Sequence, residues 1–364
     1  VRTKVFLAIN SLQGGGAERV IVNLGNHFHK QGLEVVVVCL NAAEQAYSLD
    51  SNIKLITLLR RNSRTDILAR IWFAAVTFVK FVYFLIKERP KCVISFTTSV
   101  NIWTGISCIL CRVPYVVSER TTPDHTVNTF GLFTSFISYI AYSRALAIVV
   151  PSGGMIGSFK KNRMFRKLNN YKIINNPINQ FGHATTDRVY DRKFILSVGR
   201  LDYVKGFDVL IDVYSKMDLK DVDLIISGEG SEREKLLKQI HDLKMEDHIK
   251  LVGFKSNLQD YYTQAELFVL SSRNEGYPNA LIEAMSLGCP CVSVDCQYGP
   301  SEIIKNNWNG LLIENNNPGL LSTSILKILQ DTSLRTRLSQ NCRSINIANS
   351  PERISSSWKT LIPE

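Results

Sequence analysis

The sequence predicts an α/β protein built from two consecutive doubly wound domains that face a central cleft. Three observations lead there. Short apolar strands alternate with helical stretches along most of the chain, and strands that are apolar without interruption belong to parallel sheets covered on both faces. The alternation stops once, around Asn175–Lys193, and then restarts. The length of 364 residues favours two cores of ordinary size over one. The expected division is a first domain at 1–175, a linker at 176–193 and a second domain at 194–349. Asn175, Asn176, Pro177, Asn179 and Gly182 mark the linker.

Lys4–Ile9 is a β-branched run that ends in a polar, glycine-rich turn. Ala17–Gln31 reads as a helix with Val20, Ile21, Leu24 and Phe28 on one face. Gly32 ends it, and Leu33–Leu40 is a continuous apolar strand. Val93–Phe96, Tyr115–Ser118 and Ala147–Val150 continue the series. Past the break, Phe194–Val198 is a strand, Gly199–Gly206 a polar turn and Phe207–Lys216 a helix. Leu224–Ser227, Ile249–Val252, Leu267–Leu270 and Cys291–Val294 are further strands. Ligands of such sheets gather beyond the carboxyl ends of the strands, so two domains facing each other create a cleft.

A hydrophobic content of 45% excludes long disorder. The net charge of +11 points to an anionic partner: nucleic acid, acidic lipid or a phosphorylated substrate. The eight cysteines form no disulfide framework, and Cys108–Cys111 has no second pair at zinc-ribbon distance. Buried thiols in a reducing cytosol fit this usage. Val5–Ile9 is too short for the apolar core of a secretory signal, and Gly14–Gly16 follows at once. No run reaches the roughly eighteen apolar residues of a membrane span. The nearest, Ile71–Ile86, is interrupted by Lys80.

Four motifs carry chemistry. Gly14-Gly15-Gly16-Ala17-Glu18-Arg19 stands between the first strand and the first helix, where a backbone without side chains can approach a bulky anion. It lacks the spaced glycines of a dinucleotide fingerprint, and a tight turn is its plain reading. Gly199–Gly206 carries Arg200 and Lys205 on a short loop after a strand. A planar guanidinium and a mobile ammonium can grip a diphosphate, or can simply be solvated. Ser227-Gly228-Glu229-Gly230 is either a wall for a base or ribose or an ordinary turn. The fourth, Ser271–Met285, is the most specific. Glu275 stands in the loop ahead of a helix, Pro278 suits that helix's first turn, and Glu283 lies inside it. Carboxylates accept strong hydrogen bonds from sugar hydroxyls, and a helix start near Gly276 favours phosphate. One segment can therefore hold both the sugar and the diphosphate of a nucleotide sugar.

These segments, with SVGRLDYVKG, SSRNEGYPNALIEAMSLGCPCVSVD and NGLLI in their order, resemble the retaining, GT-B-fold glycosyltransferases of family 4, or group 1. Among these the chain looks like bacterial O-antigen and lipid-linked oligosaccharide enzymes. The resemblance spans nearly the whole length. It implies a GT-B fold of two Rossmann-like domains, the last helix near 350–364 returning to the first domain. It implies a donor seated on the second domain: Arg200 and Lys205 on the diphosphate, Glu275 on the transferred sugar, and backbone amides from Gly276 through Tyr277 and Pro278 to Asn279 on its hydroxyls or phosphate. Glu283 would take the ribose, Gly228 would line the site, and Gly15 and Gly16 would approach the phosphates from the first domain. No cofactor and no metal would be required, because the two cations and the helix end support the leaving diphosphate. One departure stands out. Many members place a histidine after the strand that here is Tyr115–Ser118, where this chain has Glu119-Arg120-Thr121-Thr122-Pro123-Asp124-His125. Glu119, Arg120 and His125 become the acceptor-side candidates, with Glu119 orienting an acceptor hydroxyl or pairing with a cation, or alternatively forming a structural loop with Arg120.

Arg60–Lys91 holds eight basic residues (Arg60, Arg61, Arg64, Arg70, Lys80, Lys87, Arg89 and Lys91) against two acids, Asp66 and Glu88. Trp72, Phe73, Phe78, Phe81, Tyr83 and Phe84 stand among them, and Lys160, Lys161, Arg163, Arg166 and Lys167 form a second cluster. Basic residues flanking an aromatic helix suit an anionic membrane surface, and a packed helix with solvated ends is the plain alternative. Nucleic acid is not expected, since the aromatics stand in an apolar run. The expected protein is a cytoplasmic enzyme peripheral to the inner face of the bacterial inner membrane. It would move a hexose or N-acetylhexosamine from a UDP-linked donor to a lipid-linked glycan. A nucleotide-sugar epimerase or phosphorylase on the same scaffold, and a non-catalytic sugar-binding subunit, are the rival readings.

Overall fold

The computed structural model describes residues 2–13, 15–42, 47–60 and 67–364, with the backbone alone at 67, 68 and 70. Its contacts divide the chain into two compact units, Val1–Pro177 with Pro351–Glu364, and Ile178–Ser350.

Unit 1 runs β1 (Lys4–Ile9), α1 (Gly16–Lys30), β2 (Glu34–Asn41), β3 (Lys54–Leu59), α2 (Ile67–Glu88), β4 (Cys92–Phe96), α3 (Thr98–Cys111), β5 (Tyr115–Ser118), α4 (Leu132–Ser143), β6 (Ile148–Val150), α5 (Gly153–Lys161) and β7 (Tyr171–Ile173). The seven strands form one parallel sheet in the order β3-β2-β1-β4-β5-β6-β7. The inner strands are buried on both faces, which is why their sequences are mostly apolar. The edge strand β3 alternates instead, with Lys54 and Thr57 exposed, and β7 is three residues long and partly exposed. Both lack the continuous apolar signal and escape a reading of the sequence. α1 buries Val20, Ile21, Leu24 and Phe28, the face its spacing predicts. At the end of α2, Glu88 accepts from Lys4 Nζ at 2.8 Å and Lys54 Nζ at 3.1 Å. The two ammonium groups tie the helix to β1 and β3 and hold the carboxyl down at about 2.

Unit 2 runs β8 (Lys193–Val198), α6 (Phe207–Ser215), β9 (Val222–Ser227), α7 (Arg233–Asp242), β10 (Ile249–Gly253), α8 (Leu258–Gln264), β11 (Leu267–Leu270), α9 (Asn279–Ser286), β12 (Cys291–Asp295), α10 (Pro300–Ile303), β13 (Leu311–Glu314), α11 (Pro318–Gln330), α12 (Thr332–Cys342) and α13 (Ile345–Ala348). Its six parallel strands are ordered β10-β9-β8-β11-β12-β13. Alternate residues feed two cores: Ile195 of β8 packs with Leu210, Leu224 and Val269, while Phe194 and Leu196 pack with Tyr262, Phe268 and Leu281. The strand order reverses direction between β8 and β11. Such a switch point opens a crevice at the carboxyl ends of the two strands.

Two sequence expectations change. The stretch 176–193 is not a free linker: from Ile178 it is packed onto unit 2. Thr185 N donates to Asp260 at 2.7 Å and Val189 N to Gln264 at 3.0 Å. Tyr190 reaches the buried Asp223 carboxylate at 2.6 Å, beside His248 at 3.1 Å and Arg192 at 3.4 Å. A buried carboxylate needs such partners, and they draw the segment in. Pro278 is the N-cap of α9 rather than a residue of its first turn. Beyond α13 the chain returns to unit 1 as α14 (Pro351–Lys359), where Trp358 is fully buried and Ser355 accepts from Gln31 at 3.2 Å.

Candidate active site

The loops after β8 and β11 lie side by side at the switch point of unit 2. Arg273 N donates to Val204 O at 2.8 Å and Ser271 Oγ to Lys205 O at 3.0 Å. Two glycines make the approach possible. Gly206 has φ +66, and a Cβ there would stand 2.2 Å from Ser271 O. Gly228, in the loop after β9, has φ +151, and its Cβ would stand 1.8 Å from Gly199 O. Only a residue without a side chain satisfies both the backbone angle and the space. Leu201 N to Glu229 O, at 2.9 Å, completes the lock between these loops.

Within this frame Lys205 Nζ donates to Glu275 Oε1 at 2.6 Å, and Ser272 Oγ donates to the same oxygen at 2.6 Å. Glu275 is 9% exposed. The residues predicted to grip a sugar and a diphosphate are thus brought together, each charge held by the other. Arg200 pairs with Asp202 inside its own loop and is exposed. Arg273 has a different task. Its fork closes on Asp208 at 2.7 and 2.7 Å, Nη1 donates to Tyr203 O at 2.7 Å, and its plane lies 4.0 Å from the Tyr203 ring centroid. It braces the turn that carries Lys205.

No side chain caps the start of α9, next to the half-exposed Gly276 and Asn279. Tyr277 and Pro278 are buried. The Tyr277 hydroxyl accepts from Asn349 Nδ2 at 2.8 Å, and burial pushes it well above its ordinary range. Its side chain anchors the loop, so only its backbone is left to face a ligand. Glu283 is 2% exposed, and Tyr262 Oη donates to it at 3.3 Å. Cys296, at the end of β12, is pushed up to about 12 by burial and then by the Glu275 charge, which places the thiol beside this site. The sequence assigns no role to Ser272, Arg273, Tyr262, Asn349 or Cys296. Ser272 stands in the quoted motif, whereas the partner of Arg273 lies in another loop and leaves no local signal.

In unit 1, Gly15 is the N-cap of α1 and Gly16 its first residue, while Gly14 lies outside the described residues. A Cβ at Gly15 would meet only the flexible end of Glu18, at 2.5 Å. The expected acceptor role of Glu119 is corrected. Its carboxyl is completely buried, accepting from Thr98 Oγ1 at 2.8 Å, Asn101 Nδ2 at 2.8 Å and the Tyr142 hydroxyl. Burial raises it to about 7 although the three donors oppose the shift. Thr98 and Asn101 of α3 and Tyr142 of α4 converge on it, so it fastens these helices to the end of β5. Arg120 is half-buried and lies over the rings of Phe96 and Trp358, with centroids at 5.3 and 5.5 Å. His125 is exposed at the end of a single helical turn, Pro123–His125.

α2 is buried along Phe81 and Leu85, and Lys80 Nζ donates to Leu58 O at 2.7 Å. Ile71, Trp72, Val79, Tyr83 and Ile86 are exposed, as are Leu132, Phe133 and Phe136 of α4. Arg61, Arg64, Asp66 and the side chain of Arg70 lie outside the described residues. Among the described residues no helix is long and apolar enough to cross a membrane, and no three metal-ligating side chains cluster.

The chain is similar to known proteins in both sequence and fold. The model of Glycosyltransferase Family 4 matches residues 14–180, and that of Glycosyl transferases group 1 matches residues 183–345. The amylovoran biosynthesis glycosyltransferase AmsD of Erwinia amylovora is 25% identical over 369 residues, 99% of each chain. The Campylobacter jejuni GalNAc-alpha-(1->4)-GalNAc-alpha-(1->3)-diNAcBac-PP-undecaprenol alpha-1,4-N-acetyl-D-galactosaminyltransferase is 26% identical over 372 residues, 99% of this chain and 98% of its own. Among solved structures, Anabaena HepE in complex with UDP-glucose superposes with a TM-score of 0.80 at 18% identity, covering 98% of this chain and 99% of its own. The fold is that of the two-domain GT-B enzymes, and the chain belongs to the family 4, or group 1, glycosyltransferases.

Proposed function

We propose that the chain transfers a hexose or N-acetylhexosamine from a UDP-linked donor to a lipid-linked glycan in the assembly of a bacterial surface polysaccharide, with retention at the anomeric carbon. The Lys205–Glu275 pair at the β8/β11 switch carries this reading. A donor seated there exchanges the pair's internal partners for its own groups: Glu275 accepts from the sugar hydroxyls, and Lys205 turns to the diphosphate. Arg200, exposed on the same loop, adds a second cation, and the start of α9 adds backbone dipoles. Glu283 supports the ribose from within α9. Catalysis then rests on positioning and on electrostatic support of the leaving diphosphate, without a metal. The solved HepE complex with UDP-glucose supports the choice of base, and the undecaprenol-linked glycan in the name of the Campylobacter relative supports the acceptor class.

A thermal-shift panel of UDP- and GDP-sugars identifies the donor, because a ligand raises apparent stability by mass action. Glu275→Ala should lower turnover of that donor by about 10²–10³-fold. A chain that neither binds nor turns over any of these sugars, and whose cellular glycan is unchanged in Glu275→Ala, is a sugar-binding subunit instead. The exposed Trp72, Tyr83 and Ile86 of α2, next to Lys87 and Arg89, support peripheral attachment to anionic lipid at the cytoplasmic face of the inner membrane. The chain should float with vesicles containing phosphatidylglycerol and not with neutral ones. Efficient transfer to a water-soluble acceptor without any flotation would remove the membrane from the reading.

A further inference from the structure

The carboxyl end of β5 holds an arginine whose charge is only partly used. Arg120 Nη1 donates to Asn176, but Nε and Nη2 are buried without a hydrogen-bond partner. These two nitrogens form the edge with which a guanidinium grips an oxyanion through two parallel bonds. The indole Nε1 of Trp358, on a ring 5.5 Å from Arg120 Cζ, is also buried without an acceptor. Phe96 packs beside both, its ring 5.3 Å from Arg120 Cζ and 5.6 Å from the ring of Trp358. Glu119, next in the chain, does not fill the gap, since Thr98, Asn101 and Tyr142 hold its carboxyl. Buried donors are rarely left unpartnered, because each loses its hydration without replacement.

The position is also that of a ligand site. Phe96 ends β4 and Arg120 follows β5, next to the reversal of strand order between β1 and β4. Arg120 keeps part of its surface in solvent, which leaves a way in. Donors from two different side chains suit a tetrahedral phosphate, whose oxygens point in several directions, better than a planar carboxylate. We infer that the Nε/Nη2 edge of Arg120, with the Trp358 indole N–H, is a phosphate seat of unit 1 for one phosphate of a substrate diphosphate. The inference rests on the proposed function only for the owner of that phosphate: the nucleoside diphosphate of the donor or the lipid diphosphate of the acceptor.

The test measures binding of inorganic pyrophosphate, UDP and farnesyl diphosphate to the full chain by titration calorimetry. Arg120→Gln should weaken pyrophosphate at least about tenfold. Trp358→Phe, which keeps a ring and removes the N–H, should weaken it by a smaller factor. If UDP weakens in parallel, the seat serves the donor; if farnesyl diphosphate does, it serves the acceptor. Unchanged binding of all three ligands overturns the seat, and a pyrophosphate effect shared by neither UDP nor farnesyl diphosphate overturns its assignment to a substrate. Should Arg120→Gln fail to fold by circular dichroism, Trp358→Phe decides alone. A Lys205→Ala/Arg200→Ala background removes both cations of the unit 2 loop. Pyrophosphate binding that still depends on Arg120 in that background, while the parent chain turns over no nucleotide sugar, leaves the seat standing although the transferase reading fails.

Discussion

After β8 the chain turns through Gly199–Gly206 against two other loops of unit 2, backbone against backbone, and the cations there have acids beside them. Lys205 has Glu275, Arg200 has Asp202 and Arg273 has Asp208. After β5 the chain of unit 1 turns through Glu119 and Arg120, held by side chains from α3, α4 and α14, and Arg120 has two nitrogens without a partner. Both turns follow a central strand of a parallel sheet. The first is closed in charge, so a ligand enters by replacing an internal partner, and the loop geometry survives the exchange because glycine contacts set it. The second is open in charge, so a ligand enters by filling a vacant donor edge, and its geometry depends on a network that can titrate.

The largest expected effect breaks the backbone lock. Gly228→Ala forces a Cβ to 1.8 Å from Gly199 O at φ +151. It should destabilise unit 2 by about 3 kcal/mol or more, from strained backbone and overpacking together. Urea unfolding of the variant measures this, and binding of the donor found in the sugar panel should fall with it. A variant as stable as the parent would show that these loops are not rigidly interlocked.

A smaller effect tests the titrating network. The Glu119 carboxyl, raised by burial to about 7 in the folded chain, ionises near its ordinary 4.5 when unfolded. Between these values the folded state holds a proton that the unfolded state releases. Stability from this group is therefore complete below pH 4.5, declines as pH rises and is gone above about pH 7, a change of about 3 kcal/mol at most. Glu119→Gln cannot titrate, so the stability difference between parent and variant should drift in favour of the variant across that window. A difference that is flat with pH would mean that the three donors keep the carboxyl ionised throughout.

Much of the fold is legible in the chain because its physics is local. Val35–Leu40 and Leu267–Leu270 announce buried parallel strands by unbroken apolarity, and α1 announces its buried face by spacing. Lys54–Leu59 and Tyr171–Ile173 do not, since an edge strand meets water and mixes polar with apolar residues. The motifs of the candidate site are legible for a related reason: glycines, a proline and two acids cluster within short segments. Their mutual pairing is not, because Lys205 and Glu275 meet only when β8 and β11 become neighbours.

The sequence by itself determined the two α/β units, the order of most strands and helices and the residues of the glycine-rich loops after β8, β9 and β11, since backbone propensity, hydrophobic period and turn chemistry act over a few residues. Tertiary structure decided which charges are paired and which are buried. It drew 178–193 onto unit 2 around Asp223, turned Glu119 from an expected acceptor contact into an internal fastening and packed Arg120 against Phe96 and a tryptophan from the far end of the chain. Desolvation and charge pairing depend on every group that packing brings near, and those neighbours are remote along the chain.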